Sequence, residues 1–417
     1  MHTILTVGIV IFTGFMFGEI VSKVHLPRVT GYILAGVLLN PGLLHFVPPT
    51  FVHSTETVIN IALAFITFSV GGSLCYSRIR DLGKSILWIT AFEAELAFLA
   101  ILGGFILILP LFVPGTAGTS WSVGILPVAL LIGALGTPTD PAATLAVVHE
   151  YGAKGKVTST VMGVAALDDA AGIINYSVAI ALAQVLIIGR GFSLDSSVMV
   201  PLVSIGGAVG LGIVFGFAFN LLTYLLPGEG EGVLIVIVVA FVTLCFGLSQ
   251  YLGLDQLLAT MAMGMVVTNL NPKRQAIFAM LERYTEQLIF VVFFTLSGMN
   301  LNFSSLISYL PLIALFVLFR ALGKFSGVLL GAGIARASTS VRKYAFGGLI
   351  PQGGIVVGLA LLIKQNPAFQ QVTDLIVSVV VGATVVHEII GPLCSKVALK
   401  KAGEIGKGTS RRDASSV

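Results

Sequence analysis

Along the chain, apolar runs of about 16–32 residues alternate with short breaks rich in polar residues, glycine and proline, and no run shows the period-2 alternation of a half-buried strand. About 20 apolar residues in a helix cross the hydrocarbon core of a bilayer. The runs predict thirteen spans, at about 3–21, 29–44, 54–75, 84–112, 121–148, 157–188, 197–226, 231–249, 253–270, 285–302, 305–334, 344–363 and 373–395. A membrane β-barrel uses strands of about 10 residues with alternating faces, and these runs are too long and too evenly apolar for that. The pattern predicts an all-α polytopic membrane protein.

Two spans carry breaks of their own. The fifth contains LIGALGTPTDPAATLAVV, in which Pro138 and Pro141 bracket Thr139 and Asp140; the twelfth contains AFGGLIPQGGIVVGLALL, in which Pro351 and Gln352 stand between two glycine pairs. Proline removes a backbone donor and clashes with the preceding turn. A helix broken at membrane depth is tolerated only where the freed backbone is buried in protein or lines a cavity. Spans five and twelve are seven apart, and an odd separation makes them antiparallel. The same shift pairs span four with eleven and six with thirteen, leaving span seven as a linker. We therefore expect two inverted-topology six-helix repeats with two crossed discontinuous helices, about 121–148 and 344–363. The exposed half-helix ends carry partial charges, which Asp140 and Lys324 are expected to balance.

An ionisable side chain at the centre of a span costs about 2.5–3.5 kcal/mol on insertion scales, so it defaults to a functional candidate. Eight remain once the loops are set aside: Glu93, Glu95, Asp140, Asp168, Asp169, Arg320, Lys324 and Glu388. Asp168 and Asp169 are adjacent in VMGVAALDDAAGIINYSVAIALA. Helical neighbours point about 100° apart, so one faces a buried partner and the other a cavity. Two anions side by side in low dielectric repel, which suits the pair to hold a proton or a small cation. Arg320 and Lys324 lie four residues apart and share a face. Lysine can lose its proton and arginine effectively cannot, which assigns Lys324 to chemistry and Arg320 to a structural ion pair with Glu388. Glu93 and Glu95 point about 200° apart and do not share one cavity. His149 and Glu150 read as a solvated loop pair, and His387 as a buried hydrogen-bonded histidine.

Composition narrows the class. Of 417 residues 56% are hydrophobic and 10% charged, and the mean hydropathy is +1.01, which excludes a soluble enzyme, a nucleic-acid binder and a regulatory domain outside the membrane. The 48 glycines suit closely packed membrane helices. Cys75, Cys245 and Cys394 lie in apolar runs without a CxxC pair, so neither a disulfide framework nor a thiolate metal site is expected. The N-terminus lacks a basic n-region and a cleavage site, and residues 3–21 read as a retained span. Nineteen of the 23 Lys and Arg residues fall in loops after odd-numbered spans or in the C-terminal tail, and two, Arg190 and Lys364, in loops after even-numbered ones. Cytoplasmic loops are the basic ones, so the N-terminus is expected outside and the C-terminus in the cytoplasm. This orientation accounts for the net charge of +4 without an acidic partner.

Taken together, LPRVTGYILAGVLLNPG, TPTDPA, ALDDAAG, FFTLSGMNLN (293–302), RALGKFSG and IPQGG, in this order over roughly residues 10–395, resemble the cation/proton antiporter superfamily, and in particular the bacterial sodium/proton antiporters of the NapA/NhaA type. GYILAGVLL and the FF…SG…LN pattern are shared with glutathione-gated potassium efflux relatives, whose nucleotide-binding regulatory domain does not follow here. The resemblance implies a homodimer in the bacterial inner membrane, with scaffold helices in 1–80 and 228–302, a mobile core in 81–190 and 303–396, a linker helix in 191–227 and a cytoplasmic tail in 397–417. It implies that Asp169 binds Na⁺ and protons in turn, that Asp168 partners the Lys324 ammonium, and that Thr139 and Asp140 at the helix crossing complete the ion ligands. Two aspartates in sequence are similar to the electrogenic members.

The expected activity is exchange of Na⁺, or Li⁺, for H⁺ by alternating access. Na⁺ displaces a proton from Asp169 and, through the Asp168–Lys324 pair, a second one. No enzyme activity and no cofactor beyond the transported ions are expected. A K⁺/H⁺ exchanger of the same fold and a sodium-coupled organic anion symporter are the alternatives.

Overall fold

A computed structural model describes residues 3–23, 28–43, 47, 48, 51, 55–112, 121–140, 143, 144, 147, 148, 151–187, 200–226, 230–299, 307–353 and 355–405. Pro141, His149, Glu150, Gly354, the end of the FFTLSGMNLN motif and the tail from residue 406 lie outside the described residues. An apolar helix overlaps each predicted run: α1 (Thr3–Lys23), α2 (Arg28–Leu38), α3 (Glu56–Ser73), α4 (Tyr76–Phe112), α5 (Trp121–Leu135), α6 (Lys156–Ile187), α7 (Val200–Leu225), α8 (Glu231–Tyr251), α9 (Gln256–Leu270), α10 (Glu286–Met299), α11 (Leu310–Ile334), α12 (Ile355–Gln365) and α13 (Thr373–Lys401). Among the described residues eight are long and apolar enough to cross a membrane, whereas the apolar stretches of α2, α5, α9, α10 and α12 are shorter.

Two boundaries differ from the sequence expectation. The fourth run is expected from about residue 84, but the chain is already helical from Tyr76 and turns sharply at Gly83, whose φ of 81° only glycine adopts at little cost. α13 continues past residue 395 to Lys401, because lysine is a good helix former and carries its charge beyond the apolar zone.

The helices sort into two groups by the faces they share. α4 packs along α11 and against α5 and α6, and α13 packs on α11 and α12. α1, α2 and α10 form a second set, continuous through α3 with α9, α7 and α8. Narrower contacts join the groups, chiefly α6 against α3, α7 and α9, and α12 against α3 and α10.

Glycine sets the closest approach. Gly323, Gly327 and Gly331 repeat every fourth residue along α11, and a Cβ on any of them would stand 2.5–2.7 Å from backbone atoms of Leu96, Ala97, Phe92, Glu93 or Trp88 on α4. Lipid gives helices no hydrophobic drive to associate, so such backbone contact supplies the packing. The same close approach brings Glu93 of α4 beside α11.

Candidate ion-binding site

Both predicted breaks are present. α5 ends at Leu135 and the chain is non-helical through Asp140, while the twelfth run is a short helix (Thr339–Tyr344), a 3-10 turn (Ala345–Leu349), a non-helical stretch at 350–353 and then α12. A helix end leaves its last carbonyls without partners, and here side chains capture four in succession. Gln352 Nε2 donates to Leu135 O at 2.7 Å, Arg320 Nε to Gly136 O at 2.8 Å, Lys324 Nζ to Thr137 O at 2.8 Å and Arg320 Nη2 to Pro138 O at 2.7 Å. The opposite break is tied in as well. Arg320 Nη1 donates to Ile350 O at 2.6 Å, the Asp140 amide to Pro351 O at 3.1 Å and Thr144 Oγ1 to Gly348 O at 2.7 Å.

This corrects one sequence expectation. Arg320 is structural, but its partners are carbonyl oxygens of both breaks and not Glu388. A guanidinium has five donors in a fixed fork, which matches several converging carbonyls better than one carboxylate. Lys324 meets the carbonyl end of the fifth-span break as expected, Arg320 joins it there, and the Asp140 amide bonds to the opposite break. Arg320→Lys keeps the charge but not the fork, and is expected to lower unfolding stability by about 2 kcal/mol, since hydrogen bonds to charged groups contribute roughly 1.5–3 kcal/mol. A thermal or denaturant unfolding series checks this; an unchanged midpoint would show that the carbonyls find other donors.

The adjacent aspartates separate as helical geometry requires. Asp168 is fully buried and its Oδ2 accepts from the Thr139 hydroxyl and, at 3.2 Å, from Lys324 Nζ; Lys324 Nζ also donates to Thr139 Oγ1 at 2.8 Å. Asp169 points elsewhere, half-buried on the wall of a cavity of about 360 Å³ that Thr139, Asp140 and Gly353 also line. The cavity runs between Ser69 and Ser73 of α3, Met162 of α6 and Phe290 of α10. These residues lie toward the ends of α3 and α6 adjoining the basic segments at 78–84 and 154–156. Carboxyl and hydroxyl oxygens from Asp168, Asp169, Thr139 and Asp140 thus gather around the crossing, a hard-donor set of the kind that suits a small, hard cation. Among the described residues no group of three or more His, Cys, Asp and Glu forms a metal site.

Three side chains extend the predicted set. Glu93 is fully buried and pairs with Lys324 Nζ, whereas Glu95 is exposed on the other face of α4. Sequence put the two glutamates on different faces and left open which one turned inward. Thr30 of α2 donates to Glu388 Oε2 at 2.9 Å, a buried bond joining the two helix groups. Glu388 and Asp140 meet over Gly353, where any side chain would run into both carboxyl groups. Thr30 carries no charge and gave no signal of its own. His387 is buried with its ring against Phe316.

The chain aligns at 24% identity over 378 residues with the low-affinity Na(+)/H(+) antiporter NhaS1 of Synechocystis sp., covering 86% of this chain and 67% of that protein. It aligns at 24% identity over 400 residues with the Na(+)/H(+) antiporter ApNhaP of Aphanothece halophytica, covering 91% and 71%. The structure of the sodium proton antiporter MjNhaP1 from Methanocaldococcus jannaschii shares the fold, with a TM-score of 0.74 at 20% identity over 97% of this chain and 99% of that one. The transmembrane sodium/hydrogen exchanger family matches residues 7–401. With almost the whole chain inside that match, and with a paired aspartate set against a crossing of two broken helices, the protein belongs to the sodium/hydrogen exchanger family.

Proposed function

We propose that the protein exchanges Na⁺ for H⁺ across the bacterial inner membrane by alternating access, with Asp169 as the carboxylate that both ions occupy in turn. One observation carries this reading: Asp169 stands on a cavity wall while its neighbour Asp168 is tied behind it to Thr139 and Lys324. An ion reaching Asp169 meets Asp168 next, and competes there with the ammonium. Taking Asp168 from Lys324 leaves the buried ammonium with Glu93 as its remaining counter-charge; in this reading the second proton leaves from that Lys324–Glu93 pair, and the exchange of two H⁺ for one Na⁺ moves charge. The proposed core is the group built on α4–α6 and α11–α13, the proposed scaffold that of α1–α3 and α8–α10, and α7 links them. The cavity on the basic side of the crossing corresponds to a core facing the cytoplasm. Two copies forming a homodimer through the scaffold follow from the resemblance.

The deciding experiment is dissipation of a pH gradient in proteoliposomes with Na⁺, Li⁺ and K⁺ supplied separately. Na⁺ or Li⁺ is expected to release the gradient; a response to K⁺ alone would replace the assignment by K⁺/H⁺ exchange. The organic anion alternative loses support from the cavity lining, which holds Asp140 and Asp169 and, among the described residues, no basic side chain. For orientation, a cysteine replacing exposed Lys156 is expected to react with an impermeant thiol reagent only from the cytoplasmic side, and one replacing Ser193 only from outside. Lys156 is preferred to Gly155, because a side chain at Gly155 would collide with the Glu404 carboxylate. Reversed labelling would overturn the orientation.

A further inference from the structure

We propose that the cleft between the first half of the broken twelfth span and the end of α13 is a binding site for one anionic phospholipid of the cytoplasmic leaflet. The cleft, about 420 Å³, has none of the candidate ion ligands among its described lining residues: Lys343, Tyr344 and Phe346 line one wall, and Leu393, Val397 and Lys401 the other. Lys343 and Lys401 are both exposed and come from different elements, yet converge on one opening whose lining, among the described residues, contains no acidic residue. Arg342 and Lys400, also exposed, stand next to them in sequence.

The apolar part has the direction of an acyl chain. Ile389, Leu393, Val397 and Lys401 follow one another at four-residue intervals along α13, so they form a stripe on one face. The first three are 47%, 60% and 51% exposed. At 1.5 Å per residue the stripe is about 18 Å long, close to the roughly 15 Å of hydrocarbon in one leaflet. It ends in a lysine at the level where phosphate groups lie, and Tyr344 stands there as interfacial tyrosines do. An acyl chain therefore lies along the stripe while the phosphate sits between the two ammonium groups. This assignment rests on the membrane orientation proposed above and not on the exchange chemistry.

Native mass spectrometry of the purified full chain in micelles doped with phosphatidylglycerol or phosphatidylcholine tests it. The wild type is expected to retain phosphatidylglycerol in preference to phosphatidylcholine. The Lys343→Gln/Lys401→Gln variant is expected to lose affinity about thirtyfold, from roughly 1 kcal/mol per lysine near an anionic headgroup. Lys154→Gln/Lys156→Gln removes two other exposed charges of the same side and should bind as the wild type does. Val397→Trp keeps both lysines but fills the groove, and should also weaken binding. Equal retention of phosphatidylcholine, an equal loss in both lysine pairs, or unchanged binding by Val397→Trp would each overturn the site. A failure of Na⁺/H⁺ exchange in the proteoliposome assay leaves these outcomes unaffected.

Discussion

Asp169→Asn is expected to abolish Na⁺-driven proton flux while leaving the protein folded. Asparagine keeps the volume and polarity of the side chain but can neither bind a proton as a carboxylate does nor present a full negative charge to a cation. The fold should tolerate the change, because the bonds that hold the crossing run through Arg320, Lys324, Gln352, Thr139 and Asp168. Asp169 faces the cavity instead. Flux in proteoliposomes, read beside the thermal unfolding midpoint, checks both halves. Substantial residual exchange by a well-folded variant would remove Asp169 from the role of carrier.

Lys324→Gln is expected to do two separable things. In the wild type the ammonium touches Glu93, Asp168, Thr139 and the Thr137 carbonyl, all fully or almost fully buried side chains in the case of the three residues that use them. Removing it leaves Glu93 and Asp168 as buried carboxylates without their cation, and breaking a buried pair in this way costs about 3–5 kcal/mol. It also removes the second proton, so the remaining exchange should become electroneutral. A wild-type cycle that moves one net charge should respond to the membrane potential by about 2.3 kcal/mol per 100 mV. Adding Glu93→Gln to Lys324→Gln removes one of the stranded charges and should recover part of the stability without restoring the voltage response. If the double variant is no more stable than the single one, Glu93 is not a counter-ion. If Lys324→Gln keeps the wild-type voltage response, the second proton comes from another group.

The site was legible where chemistry is written in local pattern. Run length located the helices, Pro138 and Pro351 located both breaks, and the hundred-degree step between Asp168 and Asp169 anticipated one tied residue and one open to a cavity. Partners distant in sequence were not legible in the same way. Arg320 and Glu388 were matched because both are charged and buried, yet the arginine satisfies carbonyls about 180 residues away, which every sequence has and no composition reveals. Glu93 became the partner of Lys324 because three glycines let α11 lie against the α4 backbone at that height. The spacing of those glycines was visible, but the helix they would meet was not.

The two breaks in the crossing also bear on the mechanics of transport. Proline and glycine interruptions usually suggest hinges, points where a helix bends during a cycle. Here one guanidinium clasps Gly136, Pro138 and Ile350, and the backbone of one break bonds directly to that of the other through Asp140 and Pro351. Bending either helix at its break would strip several of these bonds at once in a medium that offers no replacement donors. The interruptions are therefore cross-braced, and these bonds oppose bending at either break. Under the proposed alternating access the cross would move as one piece, and the compliance of the cycle would reside in the narrower faces between the helix groups.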